Sequence, residues 1–167
     1  MIEFSWNDDR KAYELLATVE LAASRDELFD FFGDAFQLER ITPPWLSFHV
    51  HTPAPIKMKT GTLIDYRLKL RGIPIRWRTE ISEWNPPGLF TDKQLVGPYS
   101  LWEHHHSFEP TENGTRVVDR VFYRVPGGPL IHRLFVKGEL AKIFEYRQKQ
   151  MFSMFGATQT KSQHEAR

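Results

Sequence analysis

The chain contains no cysteine. That excludes disulfides, thiolate catalysis and cysteine-ligated zinc. Neither sign of charge is in excess. Against 21 Asp and Glu stand 22 Lys and Arg, a formal net charge of +1, which singles out neither nucleic acid nor an anionic membrane surface as a partner. Long apolar runs are missing, so no segment is expected to insert into a membrane. Residues Met1 to Arg10 lack the basic and apolar regions of a secretory signal, and the expected location is the cytoplasm. Also absent are a glycine-rich phosphate loop, a Walker motif and a serine nucleophile elbow. No repeat or linker interrupts the 167 residues. They read as one domain over 1–156 and a polar tail, 157–167, expected to be disordered.

What the chain has in plenty is aromatic side chains, 13 Phe, 5 Tyr and 5 Trp. These large rigid surfaces suit a core or an apolar pocket wall. Three of the seven histidines fall in one stretch, Gly97 to Phe108, which alternates as a strand does. Trp102, His104, His106 and Phe108 share one face; Tyr99, Leu101, Glu103, His105 and Ser107 share the other. The first face is expected to point inward, because Glu103 and Ser107 are cheaper to leave in water.

Around this strand the elements follow in order. Tyr13 to Leu21 reads as a first strand. Ser24 with Glu27 forms a capping box for a short helix that Gly33 stops, and Asp34 starts a second that Thr42-Pro43-Pro44 ends. Strands are expected over Leu46 to Thr52, Thr62 to Leu70, Ile75 to Trp84 and Leu89 to Val96. After the histidine strand, Asn113-Gly114 makes a hairpin turn into Thr115 to Val125. Past Pro126-Gly127-Gly128-Pro129 the period becomes 3.6. Ile131, Leu134, Phe135, Gly138, Ala141, Phe144, Met151, Phe152 and Phe155 then form an apolar stripe on one long helix. The fold class is therefore α+β: a curved antiparallel sheet of about seven strands wrapped around a long C-terminal helix, with two short helices after the first strand. One helix cannot fill the hollow of such a sheet, which favours a cavity.

Element order, Gly97-Pro98-Tyr99 ahead of Trp102-Glu103-His104 and Phe108, then Gly114-Thr115, Asp119, Tyr123, Pro126-Gly127 and Ile143-Phe144-Glu145-Tyr146-Arg147 together resemble the SRPBCC (START/Bet v 1-like) superfamily. The local match is to a bacterial polyketide cyclase/dehydrase-like subgroup. The resemblance covers roughly residues 10 to 156 and implies the helix-grip fold. It also implies either binding of a hydrophobic small molecule or cyclase and aromatase chemistry. Fold alone does not choose between them.

The candidate site residues follow from the inward face. Counting back from the hairpin turn brings Asp119 within reach of His104 and His106. Three uses are open: a polar network in which Asp119 fixes a tautomer, acid/base catalysis, or a metal site for which the His-x-His pair alone is thin support. The expectation is no metal and no cofactor. Tyr66, Trp77, Trp102, Phe108, Tyr123, Phe144, Arg147 and Met151 are expected to meet a ligand. Arg147 either points inward to bind a carboxylate or enolate, or snorkels to the cavity edge. His49 and His51 form a second His-x-His expected to face solvent. Arg67, Lys69, Arg71, Arg76 and Arg78, interleaved with Asp65 and Glu80, read as a solvated outer face with cross-strand ion pairs, or else as a partner surface. The reading favoured is a binding protein for a small hydrophobic or aromatic molecule, monomeric or weakly dimeric. The alternatives are a cyclase/dehydratase-type lyase using His104, His106 and Asp119, and an interaction module acting through the basic face.

Overall fold

The computed structural model describes residues 1–158. Eight antiparallel strands form one sheet in the order β1-β2-β8-β7-β6-β5-β4-β3. They are β1 (Ile2–Asn7), β2 (Ala12–Leu21), β3 (His49–Val50), β4 (Leu63–Leu70), β5 (Ile73–Asn85), β6 (Leu89–Val96), β7 (Leu101–Thr111) and β8 (Gly114–Arg124). Strand β1 adds one to the seven expected. Its Ile2 and Phe4 alternate with Glu3 and pack on the core, while the other side of the strand is a free edge. The expected strand Leu46 to Thr52 shrinks to the two residues of β3. A 3₁₀ turn over Pro44–Leu46 and a left-handed Ser47 (φ 43°) occupy its start.

Between β2 and β3 lie α1 (Arg25–Gly33), a 3₁₀ turn and α2 (Leu38–Ile41). Ser24 Oγ accepts the Glu27 amide and caps α1; Asp34 Oδ1 does the same for Phe36 in the turn that comes next. Gly33 is required where α1 meets the sheet, since a Cβ there would lie 2.8 Å from the Trp84 ring. Ala157 bridges Leu21; residues 159–167 of the expected tail lie outside the described residues.

After Gly127 and Gly128, both left-handed at φ 90° and 70°, one helical rod runs to Phe155. It comprises α3 (Gly128–Ile131), a π-helical turn (His132–Val136) and α4 (Lys137–Phe155). The π turn corrects the expected apolar stripe. It adds a residue to the turn and breaks the stripe there, while Phe144 and Met151 beyond it keep their expected inward side. Leu134, Phe135 and Phe152 are exposed, while His132, Leu140, Phe144 and Met151 are buried. The turn is anchored by His132, whose Nε2 lies 2.8 Å from the Tyr123 hydroxyl and whose ring stacks 3.5 Å from Tyr13.

The helix packs on β1, β2 and α2. Leu15, Ala17, Val121, Tyr123, Leu140 and Phe144 form the core there. A second cluster under α1 joins Phe29, Phe32, Phe90, Phe108 and Met151. The helix sits toward one side of the sheet, and its other flank faces β4 to β7 across open space.

Candidate functional site

That space is a cavity of about 180 Å³. Its walls come from α1 and α2 on one side, α4 on another, and the inner faces of β4 to β7. Alternation places Ile64, Tyr66 and Leu68 of β4 on the same inward face as Thr79 and Ile81 of β5. At one end Trp77, Tyr99 and Trp102 form an aromatic corner. Trp77 and Trp102 meet edge to face at 5.3 Å, and Tyr99 and Trp102 lie 4.7 Å apart.

The polar part of the cavity is built by register. Strand β7 pairs with both β6 and β8, so His104 faces Asp92 across one ladder and His106 faces Asp119 across the other. All four side chains point inward, and His104, His106 and Asp119 are each at most 5 % exposed. His104 Nε2 lies 2.9 Å from Asp119 Oδ1, and His106 Nδ1 lies 2.8 Å from the same oxygen. His106 Nε2 lies 3.0 Å from Asp92 Oδ2, and His104 Nδ1 lies 3.9 Å from that oxygen. The first and third of these contacts have hydrogen-bond geometry. His106 Nδ1 is close to Asp119 but badly aligned, so the contact is one of charge. Asp92, His104 and His106 line the cavity; Asp119 sits behind them.

The electrostatics separate the two imidazoles. Burial, and then the neighbouring His106 charge, push His104 down to about 4, against the pull of Asp119. At neutral pH it is uncharged, with Nε2–H donating to Asp119 and a lone pair on Nδ1. Burial acts to lower His106 too, but Asp119 and Asp92 flank it and raise it above its ordinary value. Asp119 is held well below the usual carboxylate range: burial opposes this, and Arg147 and the two histidines overcome it. Asp92 is lowered in the same way by His106 and His104. Burial, and then the Asp92 carboxylate, keep the Tyr66 hydroxyl protonated.

Arg147 reaches in from α4. Its guanidinium lies over the Phe32 ring at 5.1 Å and the Phe144 ring at 5.9 Å, and its Nε is 3.8 Å from Asp119 Oδ2. The side chain is 13 % exposed, and among the described residues its buried Nε and Nη2 find no hydrogen-bond partner. It therefore lines the cavity as a cation instead of snorkelling away.

Of the residues expected at the site, Tyr66, Trp77, Trp102, Phe144 and Arg147 line the cavity beside His104 and His106. Phe108, Tyr123 and Met151 do not. They are inward-facing but packed in the core, each no more than 2 % exposed. Inward direction alone does not distinguish filled core from cavity wall. Tyr99, expected on the outward face of the histidine strand, precedes β7 and joins the aromatic corner instead, and the carboxylate missed was Asp92. Its signal was a carboxylate in phase with Phe90 on the apolar face of a strand, and the loop after β6 leaves its register uncounted. His49 is exposed and sits 3.7 Å from Glu39; His51 lies near Asp65 and Arg67 on the outer side. On the outer face Arg78 makes a two-pronged pair with Asp65 at 2.8 and 2.9 Å, both side chains nearly half exposed. Such pairs contribute little to stability.

The chain belongs to the family described as polyketide cyclase / dehydrase and lipid transport, whose model matches residues 21–146. The architecture is the helix-grip fold of the SRPBCC (START/Bet v 1-like) superfamily. Solved structures share it at low identity. Protein CV1439 from Chromobacterium violaceum is 11 % identical at a TM-score of 0.69, over 86 % of this chain and 97 % of that one. A protein from Arthrobacter aurescens is 14 % identical at 0.69, over 98 % of each chain. The major latex-like protein 151 of Panax ginseng is 13 % identical at 0.63, over 85 % and 96 %. These likenesses concern the fold alone. No curated protein matches the chain.

Proposed function

We propose that the protein binds a small, planar hydrophobic molecule in this cavity, with an anionic or enolate-like oxygen turned toward Arg147. The observation that carries the reading is the pairing of aromatic walls with a buried guanidinium that has two nitrogens unpartnered among the described residues. An engineered apolar cavity of roughly 150 Å³ admits benzene. A cavity of about 180 Å³ fits a molecule of one or two fused rings. Trp77, Tyr99 and Trp102 supply faces and edges for ring packing. A charged donor buried without a full set of hydrogen bonds is costly, and a ligand carboxylate that fills the missing ones recovers part of that cost. Membership of a cyclase and lipid-transport family agrees with a hydrophobic ligand. The test compares a planar aromatic carboxylate with its methyl ester by calorimetry. The carboxylate should bind the wild type at least 10-fold more tightly. Arg147→Met should erase the preference while leaving ester binding nearly intact. Equal affinities in the wild type would remove Arg147 from the reading.

A second reading is dehydration of a β-hydroxy ketone, supported by the opposite shifts of two touching imidazoles, His104 down and His106 up. Their ring centroids lie 3.8 Å apart. His104 Nδ1 would take the α-proton, Arg147 would stabilise the enolate, and His106 would give its Nε2 proton to the departing hydroxyl, which leaves as water. His104→Ala or His106→Ala should then lower turnover roughly 100-fold or more with little change in affinity. Loss of affinity without loss of turnover would speak against it.

A further inference from the structure

We infer that Asp92, His104 and His106 form a binding site for one divalent transition-metal ion, open toward the cavity. This goes beyond the ligand-binding reading and does not depend on it. It competes with the dehydratase reading for the same nitrogen lone pairs.

The inference rests on which atom of each side chain faces which neighbour. Both imidazoles turn one nitrogen to Asp119: His104 through Nε2 and His106 through Nδ1, at 2.9 and 2.8 Å from a single oxygen. Their remaining nitrogens, His104 Nδ1 and His106 Nε2, converge on Asp92 Oδ2 at 3.9 and 3.0 Å. One ligand atom from each of Asp92, His104 and His106 lies within 4.8 Å of the other two. Ligand atoms placed tetrahedrally at 2.0–2.2 Å from a zinc-sized ion stand about 3.4 Å apart. The two measured separations bracket that figure, so an ion can be taken up with small side-chain adjustments.

The layering is that of a metal centre. The three ligand residues line the cavity, and the carboxylate that orients both rings stands behind them. Asp119 accepts from His104 Nε2 and so fixes that ring's tautomer, it faces His106 Nδ1 by charge at 2.8 Å, and Arg147 at 3.8 Å helps hold Asp119 ionised. A proton now bridges His106 and Asp92; an ion would replace it. Two imidazoles and one carboxylate, with no thiolate, suit Zn²⁺, Co²⁺, Ni²⁺ or Fe²⁺ more than Ca²⁺ or Mg²⁺. Three protein ligands leave coordination positions free, and Arg147 lines the same cavity. An oxygen anion could meet both.

The experiment is a titration of the untagged, chelator-stripped full chain with Co²⁺, read by visible absorption and checked by calorimetry with Zn²⁺. The parent for comparison is His49→Ala/His51→Ala, which removes the exposed histidine pair. One equivalent of Co²⁺ should bind this parent. Asp92→Asn, close in shape, and His106→Ala should each weaken binding at least 100-fold while circular dichroism shows a folded chain. Asp119→Asn should weaken it roughly 10–100-fold, as loss of an orienting carboxylate does, and should shift the Co²⁺ absorption bands. A Zn²⁺-dependent rise in Tm should occur in the parent and vanish in Asp92→Asn. The inference is overturned if the parent takes up no stoichiometric Co²⁺ or Zn²⁺, or if folded Asp92→Asn and His106→Ala bind as the parent does. Neither result would touch the binding of hydrophobic ligands, which is measured separately.

Discussion

His104 and His106 are two residues apart and face the same way, yet their surroundings shift them in opposite directions. A histidine in an unfolded chain titrates near 6.5. His104 is pushed down to about 4. The unfolded chain therefore takes up this proton first, and folding is penalised progressively as pH falls from about 6.5 to about 4. The span corresponds to a loss on the order of 3 kcal/mol. His106 is raised, so its contribution is complete below 6.5 and is lost as pH rises through its folded value. Asp92 and Asp119 are lowered, and their contribution disappears only below the ordinary carboxylate range. In chelator-treated protein, imidazole NMR should show one buried histidine titrating above 6.5 and another staying neutral to about pH 4. His104→Gln should remove most of the acid-side loss between those values. Both buried rings titrating together near 6.5 would contradict this account. Asp119 was legible at this scale because a two-residue turn allows the register to be counted. Asp92 was not, because the four-residue connection Gly97–Ser100 fixes no register that can be counted from sequence.

The rod from Gly128 to Phe155 shows what pattern reading can miss in an element. Its existence and length come from Gly127-Gly128-Pro129 and the change of period. Its buried face comes only in part: Phe144 and Met151 lie on it as expected, while the π turn at His132–Val136 leaves Leu134 and Phe135 exposed and Leu140 is buried in their place. Leu140 is 3 % exposed and Leu134 is 56 % exposed. Leu140→Ala should cost about 2–5 kcal/mol in denaturant unfolding. Leu134→Ala should cost within about 0.5 kcal/mol, as surface changes do. A larger loss at Leu134 than at Leu140 would mean that the helix presents the uniform 3.6-residue stripe after all. Strand β1 teaches the reverse lesson. Ile2, Phe4 and Trp6 alternate visibly with Glu3, Ser5 and Asn7. The alternation was readable, but an edge strand with Trp6 half exposed presents a weak hydrophobic pattern.

At the scale of the whole molecule, the cavity results from one rod laid over one side of a wide curved sheet. The hollow, its aromatic lining and the inward histidine face were readable from alternation and element order. The assignment of Phe108, Tyr123 and Met151 to filled core was not. It depends on where the helix lies across the sheet, which no local pattern encodes. The central claim is that the hollow takes up a hydrophobic molecule. Its most direct test is a titration of the native protein with an environment-sensitive apolar dye, alongside Ile143→Trp, which puts an indole into the space from α4. The account predicts saturable one-to-one binding, quenching of Trp77 and Trp102 fluorescence, displacement by a planar aromatic carboxylate, and at least 10-fold weaker binding in Ile143→Trp at an unchanged Tm. A native protein that shows no saturable binding, or an Ile143→Trp variant that binds the dye undiminished, would contradict it.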